Sequence, residues 1–349
     1  MKFIHTGDLH LGASPDLGYS WGEKRKSEIW ESFQRLIQKA YFEKYDLILI
    51  SGDIFHRKAS PREVKELSYL LSCIPQTQVV MIAGNHDWIG DGDAILSMEW
   101  PDNVVTLWNK DMTRVYCESC DAWIYGFSYH SQEIEEARYA GIYPGMESGY
   151  HILLAHGGDE IHIPINLGKL ERTGFDYVAL GHIHKPWLSK SGRIGYCGAL
   201  EPLDRNDMGS HGYICGELQG DRIITEFVPF ATRSYLHRKI KVDERTTQFS
   251  LEKEIREEIN RLGKQNLYVF QLEGCHGVGE SYDEKRLKNL GNILEIKDAT
   301  YLDYDMEALQ REYEGNLLGD FIDKFKNSNN ELEKKALHYG VEALLTTRR

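Results

Sequence analysis

The sequence predicts an α/β protein, on three observations. Short apolar runs alternate with amphipathic helical stretches from the first residues onward. Two of these runs, residues 46–50 (Asp-Leu-Ile-Leu-Ile) and 79–82 (Val-Val-Met-Ile), are nearly or wholly apolar without alternation, as strands covered on both faces are. Five apolar runs each lead into a loop of Asp, Asn or His: Gly7-Asp8-Leu9-His10, Ser51-Gly52-Asp53, Gly84-Asn85-His86-Asp87, Ala155-His156-Gly157 and Gly181-His182-Ile183-His184. Open α/β sheets bind their ligands at such carboxyl ends of strands.

Phe3-Ile4 opens the first strand, and Ile29, Phe33, Leu36, Ile37 and Ala40 recur at helical spacing to predict a helix over 23–41. Ser60, Pro61 and Glu63 form a capping box with proline at the first helical position, so a second helix starts there and turns Leu67, Leu70 and Leu71 inward. Further strands are expected over 104–107, 114–117, 122–127, 151–154 and 177–180, with short helices over 133–139 and 167–172, the latter stopped by Gly174. Residues 194–197, 212–218 and 222–228 read as antiparallel strands closing a second sheet. From 232 the pattern changes to a compact α+β module, with strands over 236–242, 266–272 and 293–296 and helices over 251–262 and 283–290. Beyond 304 the chain reads as helical, with one apolar stripe of Leu309, Tyr313, Leu317, Phe321 and Phe325 and another of Leu332, Ala336, Tyr339, Val341 and Leu344. The predicted organisation is therefore a large domain over 1–231, a smaller α+β domain over 232–303 and a helical segment over 304–349.

A chain of 349 residues has room for such a division. Its net charge of −13 argues against a generally basic nucleic-acid binder, although bound cations and local basic patches leave a nucleic-acid enzyme open. No apolar run is long enough to cross a bilayer and the N-terminus begins directly with a strand, which predicts a cytoplasmic protein without a membrane partner. Cys117 and Cys120 form a lone C-x-x-C without the second pair that a zinc ribbon needs, so reduced structural cysteines are expected.

Asp8, His10, Asp53, Asn85, His156, His182 and His184 offer carboxylate, amide and imidazole donors and no thiolate, a set that suits manganese, iron or zinc. Seven donors exceed the about four to six that one ion takes and suit two. Asp53 is the natural bridge, because a carboxylate can serve two ions with its two oxygens. Two ions ~3.5–4 Å apart can clamp a phosphate and generate hydroxide. His86, beside Asn85, is a candidate to steady the transition state or protonate the leaving oxygen, with Asp87 as the expected orienter of its ring and His56 as a candidate substrate contact. His5, on the first strand, reads as a core histidine.

Gly7-Asp8-Leu9-His10, Gly52-Asp53-Ile54-Phe55-His56-Arg57, Gly84-Asn85-His86-Asp87, His156 and Gly181-His182-Ile183-His184 resemble the motif series of calcineurin-like metallophosphoesterases. Phe3-Ile4-His5-Thr6, Phe55-His56 and residues 180–184 resemble the SbcD-type DNA-repair nucleases of that superfamily. The resemblance spans residues 1 to about 200 and implies a four-layer α/β/β/α sandwich holding two manganese ions. It implies one ion on Asp8, His10, Asp53 and His184, the other on Asp53, Asn85, His156 and His182, with His86 catalytic. It further implies a DNA exonuclease acting in repair, a second domain that shapes a DNA cleft, a helical C-terminal part that docks on an SbcC-type coiled-coil ATPase, and a homodimer through helices near 60–71 or 94–100. Two rivals stand beside this reading: a metallophosphoesterase acting on a small nucleotide or a phosphoprotein, and an inactive scaffold on the same fold. The scaffold predicts gaps in the ligand set, and the sequence has none.

Overall fold

The computed structural model describes residues 1–277, 281–328 and 330–347, which divide into two compact units, Met1–Ser234 and Tyr235–Arg349. Among the described residues no helix is long and apolar enough to cross a membrane.

The first unit is built on two six-stranded sheets. Strands β1 (Lys2–Thr6), β2 (Leu47–Ser51), β3 (Gln78–Ile82) and β4 (Val104–Thr106) run parallel as the body of one sheet. The second carries β5 (Thr113–Cys117), β6 (Ala122–Gly126), β7 (Tyr150–His156), β8 (Tyr177–Gly181), β9 (Trp187–Leu188) and β10 (Ile194–Tyr196), in the order β5-β6-β7-β8-β10-β9. The last hairpin, β11 (Gly212–Gln219) and β12 (Arg222–Pro229), does not close the second sheet as the sequence suggests. It crosses back to pair β11 antiparallel with β1 in the first, and β10 runs parallel to β8. Local pattern cannot choose between sheets; the choice rests on packing such as Gly216, where a Cβ would meet the Phe3 ring at 2.2 Å.

The period-two alternation of strands sorts the core into layers. Phe3, Leu47, Leu49, Val80 and Ile82 face Ala122, Ile124, Ile152, Leu154 and Ala179 between the sheets. The alternate residues Ile4, Ile48, Ile50, Val79 and Met81 face outward onto Ile29, Phe33 and Leu36 of α1 (Gly22–Glu43) and Val64, Leu67 and Leu71 of α2 (Pro61–Ser72). The predicted capping box of Ser60 and Glu63 starts α2. The outer face of the second sheet is covered by Phe127, Tyr139, Ile163, Leu170 and Phe175. That fourth layer is thin, because its helix, α3 (Leu167–Leu170), is a single turn and residues 133–139 are not helical. There the Ile134 amide donates to the Ile161 carbonyl and the Ile134 carbonyl accepts from the Ile163 amide, taking the acceptor that a helical turn would use, and the Tyr139 hydroxyl bonds to the His156 backbone.

The second unit opens with a three-stranded parallel sheet of β13 (Tyr235–Val242), β14 (Leu267–His276) and β15 (Ile293–Leu302). Helix α4 (Gln248–Leu262) joins the first two strands and α5 (Glu284–Lys288) the last two; Leu251, Ile255, Ile259 and Leu287 pack on Ile240, Phe270 and Ile296. The helices α6 (Met306–Glu312), α7 (Leu317–Phe325) and α8 (Glu331–Thr346) follow. Their core is Leu318, Ile322, Leu337 and Val341, whereas Leu317 and Leu332 of the predicted stripes are 70% and 75% exposed. The stripe assumed one continuous helix; the break at 313–316, with Gly315 at a φ of 74°, restarts the helical phase.

Within the first unit a buried ionic group fixes the segment that follows β10. Arg25 is fully buried and faces Asp16 at 3.6 Å, Glu28 at 3.1 Å and Glu201 at 3.6 Å, and donates to the Pro202 carbonyl at 2.5 Å. Removing one partner of a buried ion pair leaves charge uncompensated in a poorly solvated place. Arg25→Met withdraws the cation from three carboxylates and is expected to destabilise the protein by about 3–5 kcal/mol, read as a lowered urea midpoint at unchanged slope; an unchanged midpoint contradicts this assignment.

Candidate metal centre

The two sheets aim five parallel strand ends at one place. β1, β2 and β3 lead into the loops of Asp8 and His10, of Asp53, and of Asn85 and His86; β7 ends at His156 and β8 runs into His182 and His184. The loops are stitched together by backbone bonds: Asp8 N–H donates to Gly52 O and His10 N–H to Asp53 O, each at 3.0 Å. Asp8, His10, Asp53 and His182 all take positive φ, at 45°, 46°, 47° and 94°. Such backbone costs about 1–3 kcal/mol per non-glycine residue and survives only where surroundings impose it. The packing leaves no room for a side chain at Gly84, where a Cβ would lie 2.3 Å from Asp53 Oδ1 and 2.7 Å from the His156 ring.

All seven predicted ligands come together. Asp8, His10, Asp53, Asn85 and His156 are buried, and His182 and His184 half-buried. Asp53 stands in the middle: its Oδ1 lies 3.5 Å from His156 Nε2 and its Oδ2 3.8 Å from His10 Nε2. On the first side Asn85 Oδ1 is 3.0 Å from His156 Nε2 and 3.1 Å from His182 Nδ1. On the other, His10 Nε2 and His184 Nε2 are 3.1 Å apart, and one donor atom of each of Asp8, His10 and His184 lies within 4.8 Å of the others.

The tautomers of three histidines follow from partners that can only accept. His156 Nδ1 donates to the Ser51 carbonyl at 2.8 Å, His184 Nδ1 to Asp207 Oδ2 at 3.1 Å and His182 Nε2 to Asp159 Oδ2 at 2.8 Å. The neutral rings of His156 and His182 therefore turn lone pairs at Nε2 and Nδ1 toward the lone pairs of Asn85 and Asp53, while His184 presents Nε2 to His10 Nε2. Facing acceptors repel unless protons or cations lie between them, which is the donor chemistry a divalent ion satisfies. The protons respond to the same crowding. Burial, with Asp53 nearby, pushes Asp8 up to about 7. Burial opposes charge on His184, yet Asp207 and Asp8 raise it to about 9. Asp53 resists burial and stays below the ordinary carboxylate range, held there by His156, His10 and His86.

His86 and His56 stack beside this centre, ring centroids 5.4 Å apart, and His86 meets the His10 ring edge-on at 4.8 Å. The expected orienting role of Asp87 is not what the structure holds. Its carboxylate accepts from Ile54, Phe55 and Gly84 amides at 2.8, 3.1 and 2.7 Å, tying the β2 and β3 loops together. Adjacent residues on the turn point apart, and His86 Nδ1 meets the His56 carbonyl at 3.1 Å, leaving Nε2 as the other ring nitrogen. His56 Nδ1 lies 3.3 Å from His10 Nδ1. His5 is a core histidine, between Tyr177 OH at 2.9 Å and Ser51 Oγ at 3.2 Å. Asp159 and Asp207 escape the sequence reading: Asp159 stands three residues after His156 with no motif to mark it, and Asp207 lies in a loop that no strand delivers.

Calcineurin-like phosphoesterases match residues 1–186 of the chain. It is 30% identical over 254 residues to an uncharacterized metallophosphoesterase, YhaO, of Bacillus subtilis, covering 65% of this chain and 60% of that one. It is 30% identical over 223 residues to the DNA double-strand break repair protein Mre11 of Methanocaldococcus jannaschii, covering 59% and 58%. A subunit of the SbcCD nuclease of Staphylococcus saprophyticus is 24% identical over an alignment covering 94% of this chain and 93% of that one. The chain thus spans about three-fifths of the length of the first two relatives. With half its length matched and every strand-end motif gathered in one centre, the chain belongs to the calcineurin-like phosphoesterase family.

Proposed function

We propose that the chain is a metal-dependent DNA phosphodiesterase, an exonuclease of DNA repair, that holds two divalent ions and works with an SbcC-type coiled-coil ATPase. The observation that carries the chemistry is Asp53, whose two oxygens face two separate groups of donors. One ion would rest on Asp8, His10, Asp53 and His184, the other on Asp53, Asn85, His156 and His182, and manganese fits this mixture of oxygen and imidazole donors. A pair of such ions supplies Lewis-acid charge and a nucleophile at neutral pH.

The chain's own residues do the rest. His86, held through Nδ1 by the His56 carbonyl, carries a proton at Nε2 when charged and gives it to the leaving oxygen. His56, stacked on His86, keeps that ring upright and meets the phosphate from the same side. DNA as the substrate is supported by the names of two relatives, a DNA double-strand break repair protein and part of a nuclease; the second aligns with nearly the whole chain, second unit included. In this reading the parallel β13–β15 module contributes to DNA binding and the helices α6–α8 dock the ATPase.

End-labelled DNA incubated with the protein and manganese is expected to shorten. His86→Ala is expected to slow this by about 10²–10⁴-fold with metal binding retained. A small chromogenic phosphodiester cleaved while DNA stays intact, with and without the ATPase, would replace DNA by a small substrate. Chelation with EDTA is expected to abolish hydrolysis and manganese to restore it; activity that survives exhaustive chelation contradicts the metal reading.

A further inference from the structure

We infer that Asp159 is a positioning residue: its carboxylate holds the His182 imidazole with Nδ1 turned toward Asn85, so one of the two proposed ions depends on a solvent-open loop for its affinity. The inference rests on the two-ion reading above. Asp159 Oδ2 accepts from His182 Nε2 at 2.8 Å, while Asn85 Oδ1 lies 3.1 Å from His182 Nδ1 on the opposite side of the ring. A carboxylate behind a ligating imidazole fixes its tautomer and orientation and raises its basicity.

Asp159 is itself held before any ligand arrives. Its Oδ1 accepts from the Ile161 amide at 3.0 Å and the His162 amide at 2.8 Å, and the His162 ring approaches both carboxylate oxygens at 2.9 Å. Gly158 N–H closes the same turn onto the His162 carbonyl at 2.9 Å. At Gly157, with φ of 140°, a Cβ would lie 2.5 Å from that carbonyl, so glycine is needed for the loop to fold back this far. The His162 and His182 rings pack with centroids 4.6 Å apart.

The other imidazoles are oriented differently. His156 is set by the Ser51 carbonyl, inside the fully buried end of β2. His184 is set by Asp207, whose side chain is 15% exposed. The Asp159 side chain is 45% exposed. Of these three, His182 is the one whose orientation rests on the most solvent-accessible partner, and the ion it serves is the one an outer loop can tune.

The test is titration of the metal-free full-length protein with manganese by calorimetry, and with cobalt by visible spectroscopy, for wild type, Asp159→Asn and Asp159→Glu. The wild type is expected to take two ions. Asp159→Asn is expected to weaken one step by about 10–100-fold, leave the other unchanged and alter the cobalt spectrum, and Asp159→Glu to recover part of the loss. Two ions bound by Asp159→Asn with wild-type affinities and spectrum overturn the inference. So does a third ion in the wild type that Asp159→Asn alone loses, since Asp159, His162 and His182 would then be direct ligands. A wild type that fails to bind two ions overturns the two-ion reading itself, a separate result.

Discussion

The carboxylate of Asp53 is where the two halves of the sandwich are reconciled. It leaves the first sheet on a loop with a left-handed backbone, accepts the His86 amide at 2.9 Å, and faces His156 from the second sheet with one oxygen and His10 from its own sheet with the other. Remove that carboxylate and the two groups of donors lose the residue that faces both. The surrounding structure makes sense as the apparatus that keeps a buried carboxylate ionised among lone pairs, a state that burial alone opposes.

That apparatus is unfavourable in local terms and is held in place by the core. Four strained backbone positions cluster in the strand-end loops, two of which are pinned to the core by Leu9, Leu11, Ile54 and Phe55. They persist because the strands that lead into them are buried on both faces, β2 and β8 along their whole length. Asp87 adds a second restraint, taking amides from both the β2 and the β3 loop. On the far side, Arg25 and Glu201 anchor the start of the segment that brings Asp207 to His184, so the buried ionic group and the candidate centre are joined through one loop.

The parts of this design that were legible in the sequence are those written in local pattern. Continuous apolar runs marked β2 and β3, the Ser60–Glu63 capping box marked α2, and the seven donors were recognisable because each lies at or just beyond the end of an apolar run. What depends on the tertiary arrangement was not legible. The β11–β12 hairpin has the same alternation whichever sheet it joins. Residues 133–139 have helical composition, but Ile134 commits its backbone amide and carbonyl to Ile161 and Ile163. Asp87 sits beside His86 in sequence and turns away from it in space. Asp159 and Asp207 are ordinary loop acids until the fold sets them behind His182 and His184.

The most direct test of the account is anomalous scattering from crystals of the full chain grown with manganese. The account predicts two peaks flanking Asp53, one contacting His10 and His184 and the other Asn85, His156 and His182. A single peak, or ions bound away from Asp53, would contradict the claim that this carboxylate joins two metal sites.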